Sequence, residues 1–225
     1  MHTWINTASL SQLILTCGLY LGGMTIVGLV IGFWLEYSTL GQQYRITAMP
    51  LKPDQLRIEA FSNVRFTLMA TLIIAGVISL GYIPAAPFTW GGGVFSFLAC
   101  YLSFDAYYYV MHRLMHTRAL VRFHRYHHYS QVTTPLTGLS MSGVETLGWI
   151  GGFLLAPLVI AHWIPLVYEG WMFYMVFNWV GNVIGHANVE LSPAVMARPS
   201  FSLFAHPLTY HALHHARFQK HYAFG

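Results

Sequence analysis

The sequence predicts an all-α fold: a polytopic membrane helical bundle of four to five spans, with a histidine-rich cap on one side. Three observations predict it. Only 8% of the 225 residues are charged and 56% are hydrophobic, whereas a soluble domain carries about 25% charged residues. The apolar residues gather into stretches close to the roughly 20 residues that cross a bilayer. All eleven Lys and Arg residues fall on one side of the layout these stretches define, as the positive-inside rule expects.

The spans follow in order. Residues 10–35 run without a charge. The connector from Glu36 to Arg65 is polar, holds Pro50 and Pro53, and has weak amphipathic character at 56–61. Residues 66–83 form a second span, and Pro84 and Pro87 punctuate the turn to a third at 91–111. A polar, histidine-rich stretch covers 112–143. A fourth span runs over 144–164, with Pro157 inside it and Pro165 breaking it. Residues 166–184 form the fifth, and 185–225 holds no run long enough to span. Without repeats or low-complexity tracts, residues 1–225 read as a single domain. Residues 1–9 carry no basic residue, and the apolar run after them is too long for a signal peptide, so no cleavable leader is expected. Five spans place the N-terminus outside and every histidine cluster on the cytoplasmic side.

Composition also excludes partners. The net charge of +4 is spread over the loops without a basic run, so no nucleic acid is expected. Cys17 and Cys100 lie in apolar segments with no Cys or His at ligand spacing, and read as buried thiols.

Eight of the thirteen histidines cluster: His112 and His116; His124, His127 and His128; His211, His214 and His215. Neutral imidazole is a ligand suited to iron and zinc. On a helix His112 and His116 lie about 40° apart, one turn apart on a single face. His127 and His128 point about 100° apart, so neighbours can serve two different ions. Eight imidazoles plus His186, which closes the fifth span, are too many for one mononuclear site and suit two metal ions at a bilayer edge. Asp105 and Tyr109 share the face of His112. Asp105 reads either as a partner fixing the tautomer of a ligand imidazole or as a helix–helix hydrogen bonder. Glu145 reads as a helix cap or a histidine-orienting carboxylate. Asn182 and Asn188 could support His186. His206 and His221 flank the last cluster, while His2 and His162 fall on the opposite side. Glu169 and Glu190 carry little signal.

Two classes of function fit. One is a metal-dependent enzyme; the other is a membrane transporter or binding protein for zinc or iron without redox chemistry, which would place ligands inside several spans. A haem carrier would need axial histidines within opposed spans. His112-Arg-Leu-Met-His116 lacks the Glu of a His-Glu-x-x-His peptidase.

The set His-Arg-x-x-His, His-x-x-His-His, Gly-His and His-x-x-His-His, spread over residues 101–222, resembles the sterol desaturase/fatty acid hydroxylase superfamily of integral-membrane, non-haem di-iron, histidine-box enzymes. The resemblance implies metal ligation by His112, His116, His124, His127, His128, His186, His211, His214 and His215. Asp105 and Tyr109 match the Asp and Tyr before the family's first box, and Glu145 its Glu after the second. The family's usual Asn-Tyr-Gly after the last box is His221-Tyr222-Ala223 here, so His221 stands as a further site residue, either supporting the ligands or binding metal itself. The resemblance further implies two iron ions, with zinc as a substitute; dioxygen; an external electron donor from a separate reductase or carrier; and a lipid substrate, hydroxylated or desaturated at a C–H bond. It leaves the oligomeric state open.

Overall fold

The computed structural model describes residues 2–164, 166–197, 207–218 and 222. Among them nine α-helices follow in order: α1 (His2–Ile5), α2 (Leu10–Tyr37), α3 (Thr39–Gln43), α4 (Gln55–Ser79), α5 (Trp90–Met115), α6 (Val121–His124), α7 (Gly143–Ile160), α8 (Tyr168–Gly185) and α9 (Leu208–Arg217). Short 3-10 turns occupy His127–Tyr129, Pro135–Leu139 and Ala194–Ala197. Extended pairing among the described residues is confined to two isolated bridges, Arg45 with Val189 and Ala85 with Leu166.

The long helices begin where local chemistry starts them. Ser9 accepts from the Gln12 amide while the Gln12 side chain takes the Ser9 amide, a reciprocal cap for α2. Thr89 caps α5 through Gly92, and Ser142 caps α7 through Glu145. Helices α2, α4, α5 and α7 are long and apolar enough to cross a membrane, so the chain is a multi-pass membrane protein. Helix α8 falls outside that set, yet it passes from one end of the bundle to the other. Leu166, just before it, bridges Ala85 in the α4–α5 connector. His186, just after it, meets the other histidines. Tyr168, Trp171, Tyr174, Trp179 and Asn182 lower its hydropathy, and these are buried against protein.

Helix α2 packs on α4 and α8, α5 on α7 and α8, and α4 on α7. Between helices in lipid the hydrophobic effect gives little drive, so close packing and hydrogen bonds must hold the bundle. Both are present. Phe66, Phe104, Trp149, Phe153, Tyr174 and Trp179 form one buried aromatic cluster, with centroids 4.8 Å apart at the closest pair, Phe104–Phe153. Trp179 Nε1 donates to Thr25 Oγ1 at 3.0 Å, Tyr168 Oη to the Ile83 carbonyl at 2.6 Å, and Tyr107 Oη to the Gly148 carbonyl at 2.8 Å. Gly170 lies directly on the backbone carbonyl of Gly93, so α5 and α8 meet where neither carries a side chain. Leu15, Leu19, Ile26 and Val30 of α2 and Leu98 and Leu102 of α5 remain exposed, as lipid-facing residues would. Trp90, Trp163 and Tyr82 are exposed at the end away from the histidines, in the manner of an interfacial aromatic belt.

The helix limits depart from the apolar stretches in an informative way. Helix α4 starts at Gln55, eleven residues before the expected span, because its first three turns bury polar side chains against protein. Helix α5 runs on from 111 to Met115 and carries His112 on its last turns. Helix α7 ends at Ile160, short of 164.

Candidate metal centre

Four chain segments deliver histidines to one end of the bundle. The C-terminus of α5 supplies His112 and, at its cap, His116. Helix α6 and the turn after it supply His124, His127 and His128. His186 caps α8, and α9 supplies His211, His214 and His215. The nine side chains separate into two groups. His112, His116, His124, His128 and His214 form one; His127, His186, His211 and His215 form the other; within each group the candidate ligand atoms lie within 4.8 Å of one another. His127 and His128 therefore point into different groups, as do His214 and His215.

The hydrogen bonds outside the groups fix which nitrogens face inward. His112 Nδ1 donates to the Tyr222 carbonyl at 2.7 Å and His124 Nδ1 to Glu145 Oε1 at 2.6 Å. His127 Nδ1 donates to the Ser140 carbonyl at 3.1 Å, His186 Nδ1 to Asn182 at 2.7 Å, and His215 Nδ1 to Ser130 at 3.0 Å. Four of these partners are backbone carbonyls, which only accept, so those four Nδ1 atoms carry the proton and their Nε2 atoms keep a lone pair. Within the first group ring nitrogens face one another: Nε2 to Nε2 is 3.1 Å between His112 and His124, 3.0 Å between His124 and His128, and 3.0 Å between His112 and His214. In the second group His211 lies 2.9 Å from His186 and 3.2 Å from His215. Inward-turned ring nitrogens this close together, several of them lone-pair donors, are what a cation takes up, so the donor set fits a metal ion in each group.

Electrostatics agree. Burial, helped by the neighbouring imidazoles, holds His116 and His127 at about 3, and burial holds His186 at about 4. It pushes His128, His211 and His215 far below the ordinary imidazole range. All six are neutral near pH 7, the form that ligates metal. The rings of Phe218, 4.2 Å from His128, and Tyr222, 4.9 Å from His116, roof the first group.

Other expected site residues land differently. Asp105 and Tyr109 are on the exposed side of α5, whose buried row is Phe104, Tyr108, His112 and Met115. Tyr109 Oη accepts from Arg113. Among the described residues, Glu145 is a carboxylate hydrogen-bonded to a clustered imidazole, that of His124. Two turns of helix, about 10 Å, separate Asp105 from His112. Asn182 supports His186 through its backbone carbonyl, whereas the Asn188 side chain clamps Thr47. His162 is exposed at the far end. His206 and His221 lie outside the described residues.

Two carboxylates escape the sequence reading. Glu59, fully buried on α4, accepts from Gln55, Ser130, Thr134 and Thr137. Its signal was the polar series Gln55, Glu59, Ser62, Asn63 at helical spacing. Glu190 accepts the amides of Leu208 and Thr209 at 3.3 and 2.8 Å and that of Ser192 at 2.8 Å, so it anchors the start of α9. Nothing local marks it, because its main partners are 18 and 19 residues away. Burial pulls the Glu190 carboxyl upward, but the bonds from Thr209 and Ser192 outweigh it and hold the group below its usual range. Such a group stabilises the fold above the ordinary carboxyl pKa and stops doing so as pH falls through its own lower value. A charge at a helix N-terminus contributes about 0.3–1 kcal/mol. Glu190→Gln is therefore expected to lower the melting temperature by about 1–4 °C at neutral pH. That difference should shrink in acid; a constant difference across pH would contradict the anchoring role.

Comparison with known proteins gives a concordant result. The family model for fatty acid hydroxylase matches residues 97–225. The very-long-chain aldehyde decarbonylase GL1-4 of Oryza sativa subsp. indica is 25% identical over 196 residues, 84% of this chain and 31% of that protein. The very-long-chain aldehyde decarbonylase CER1 of Arabidopsis thaliana is 30% identical over 122 residues, 52% of this chain and 19% of its own length. GL1-7 of Oryza sativa subsp. japonica is 31% identical over 125 residues, with the same coverage. The chain thus spans less than a third of these relatives. No solved structure matches it significantly.

Proposed function

The chain belongs to the fatty acid hydroxylase family, and on that basis we propose that it is a membrane oxidoreductase acting on a lipid. Its two histidine groups would each hold one iron ion, with zinc as a substitute. The observation that carries the proposal is the convergence of nine imidazoles into two groups, with ligand atoms within 4.8 Å in each, at one end of membrane-crossing helices. When bound, the irons would supply the dioxygen chemistry that oxidises a C–H bond, by hydroxylation or desaturation, which side chains alone do not perform. The chain's own part is to hold imidazoles neutral, fix their tautomers, exclude water and leave an apolar approach from the bilayer. Glu145 orients His124, and Asp105, Tyr109 and His221 would complete the surroundings. Electrons would come from a separate reductase or carrier. The relatives' names add a second substrate class, a very-long-chain aldehyde.

The transporter reading requires ligands spaced through the membrane; here the groups gather at one end, which supports an enzyme. Protein purified anaerobically should hold about two irons per chain and, given reductant and dioxygen, convert a lipid chain to an alcohol, an alkene or a shortened hydrocarbon. Iron-loaded protein that forms no product from any such lipid, but moves zinc or iron across liposome membranes, would sink the enzyme reading.

The histidine groups should face the cytoplasm. In a background lacking Cys17 and Cys100, a cysteine introduced by Pro87→Cys should label from outside intact cells, and one by Ala119→Cys should not. The reverse pattern would invert the topology and separate the groups from cytoplasmic reductant.

A further inference from the structure

We propose that Glu59 is a positioning residue for the four-histidine group, acting through the loop of residues 130–140; this rests on the reading that each histidine group binds a metal. The loop is hung on one polar face of α4. Glu59 Oε1 accepts from Ser130 Oγ at 2.5 Å and Thr137 Oγ1 at 2.7 Å, and Oε2 from Thr134 Oγ1 at 2.7 Å. Gln55 Nε2 donates to Glu59 Oε1 and to the Val132 carbonyl, while Asn63 Nδ2 donates to the Leu136 carbonyl at 2.6 Å. Ser62 Oγ exchanges hydrogen bonds with the backbone of Met141, just past the loop. These four α4 residues are all buried.

What the loop presents on its other side is the support of one histidine group. The Ser130 carbonyl accepts from His215, and the Ser140 carbonyl from His127. Asn182, whose carbonyl accepts from His186, binds the Gly138 carbonyl through its side chain at 2.5 Å. Gly138 lies so close to the backbone of Asn182 and Val183 that a Cβ there would meet it at 3.0 Å. Three of the four imidazoles therefore take their orientation from this loop or from the residue it is fastened to. The five-histidine group has a different source: Glu145 on His124 and the Tyr222 carbonyl on His112. Each group then has its own carboxylate, one in direct contact and one acting through backbone carbonyls that it holds in place.

A burial role alone would weaken both groups together; positioning through the loop weakens one. The test uses full-length protein in detergent, loaded with zinc, with release into a chromogenic chelator followed in time. His211→Ala and His112→Ala assign the phases to the four- and five-histidine groups. Glu59→Gln keeps the size of the side chain and replaces one of its acceptor oxygens with an amide donor. It should speed release from the four-histidine group about tenfold to a hundredfold, the usual cost of losing ligand support, and leave the other phase unchanged. Ser130→Ala, which removes one donor, should act on the same phase more weakly. Glu145→Gln should do the opposite, accelerating only the five-histidine phase. Equal acceleration of both phases by Glu59→Gln, or none, would overturn the proposal while leaving the two-metal reading standing. Wild-type protein that binds no zinc would overturn both.

Discussion

His215→Ala should abolish turnover and strip metal from the four-histidine group. His215 is buried, donates through Nδ1 to Ser130, and points Nε2 at His211. Its removal leaves three imidazoles where four converge. Loss of mere ligand support costs about tenfold to a hundredfold, so loss of a ligand from a group without a spare should exceed a hundredfold. The five-histidine group predicts a graded contrast. His116 is one of five candidates there and only half-buried, so His116→Ala should cost less than His215→Ala. His162→Ala, exposed at the opposite end of the bundle, should change neither metal content nor rate. Elemental analysis beside product formation checks all three. If His162→Ala proved as damaging as His215→Ala, the histidine groups would not be the working site.

The sequence made the bundle legible because lipid-facing residues must be apolar, and a charge-free run such as 10–35 has few other readings. It was less informative wherever protein replaces lipid around a helix. Gln55, Glu59, Ser62 and Asn63 look like a surface connector until the 130–140 loop covers them, which is why α4 starts so much earlier than its apolar run. Helix α8 shows the same effect: Trp171, Tyr174, Trp179 and Asn182 are buried by α2, α5 and the loop. The histidines were legible from spacing alone, since a step of one residue turns a side chain by about 100° and so divides neighbours between two centres. Their supports were not. Glu59 meets Ser130, Thr134 and Thr137 across 71 to 78 residues, and sequence spacing carries no information at that range.

Acidification should destabilise the metal-free protein at pH values where the folded imidazoles can still hold metal. His127 sits at about 3 in the fold because burial, with its imidazole neighbours, opposes its charge; in the unfolded chain it titrates near 6.5. Between these values the unfolded state binds more protons, so stability rises with pH through this window. The contribution is complete above about pH 6.5 and is progressively lost as pH falls toward 3. His186, at about 4, and His128, His211 and His215, lower still, add in the same direction. Because the imidazoles lie against one another, their protonation is mutually disfavoured and unfolding relieves several at once. The melting temperature of metal-free protein should therefore drop markedly between pH 7.5 and pH 5. Glu190 contributes little to that drop, since its carboxyl titrates below the usual carboxylate range. Bound metal raises stability while the lone pairs are free, and imidazoles held at about 3 to 4 in the fold keep them free at pH 5, so the metal-dependent increment should persist there and fade only as pH falls toward those values. Equal melting temperatures at the two pH values would mean that the imidazoles are already solvated or charged in the native protein, and the buried, neutral ligand sets inferred from their geometry would be wrong.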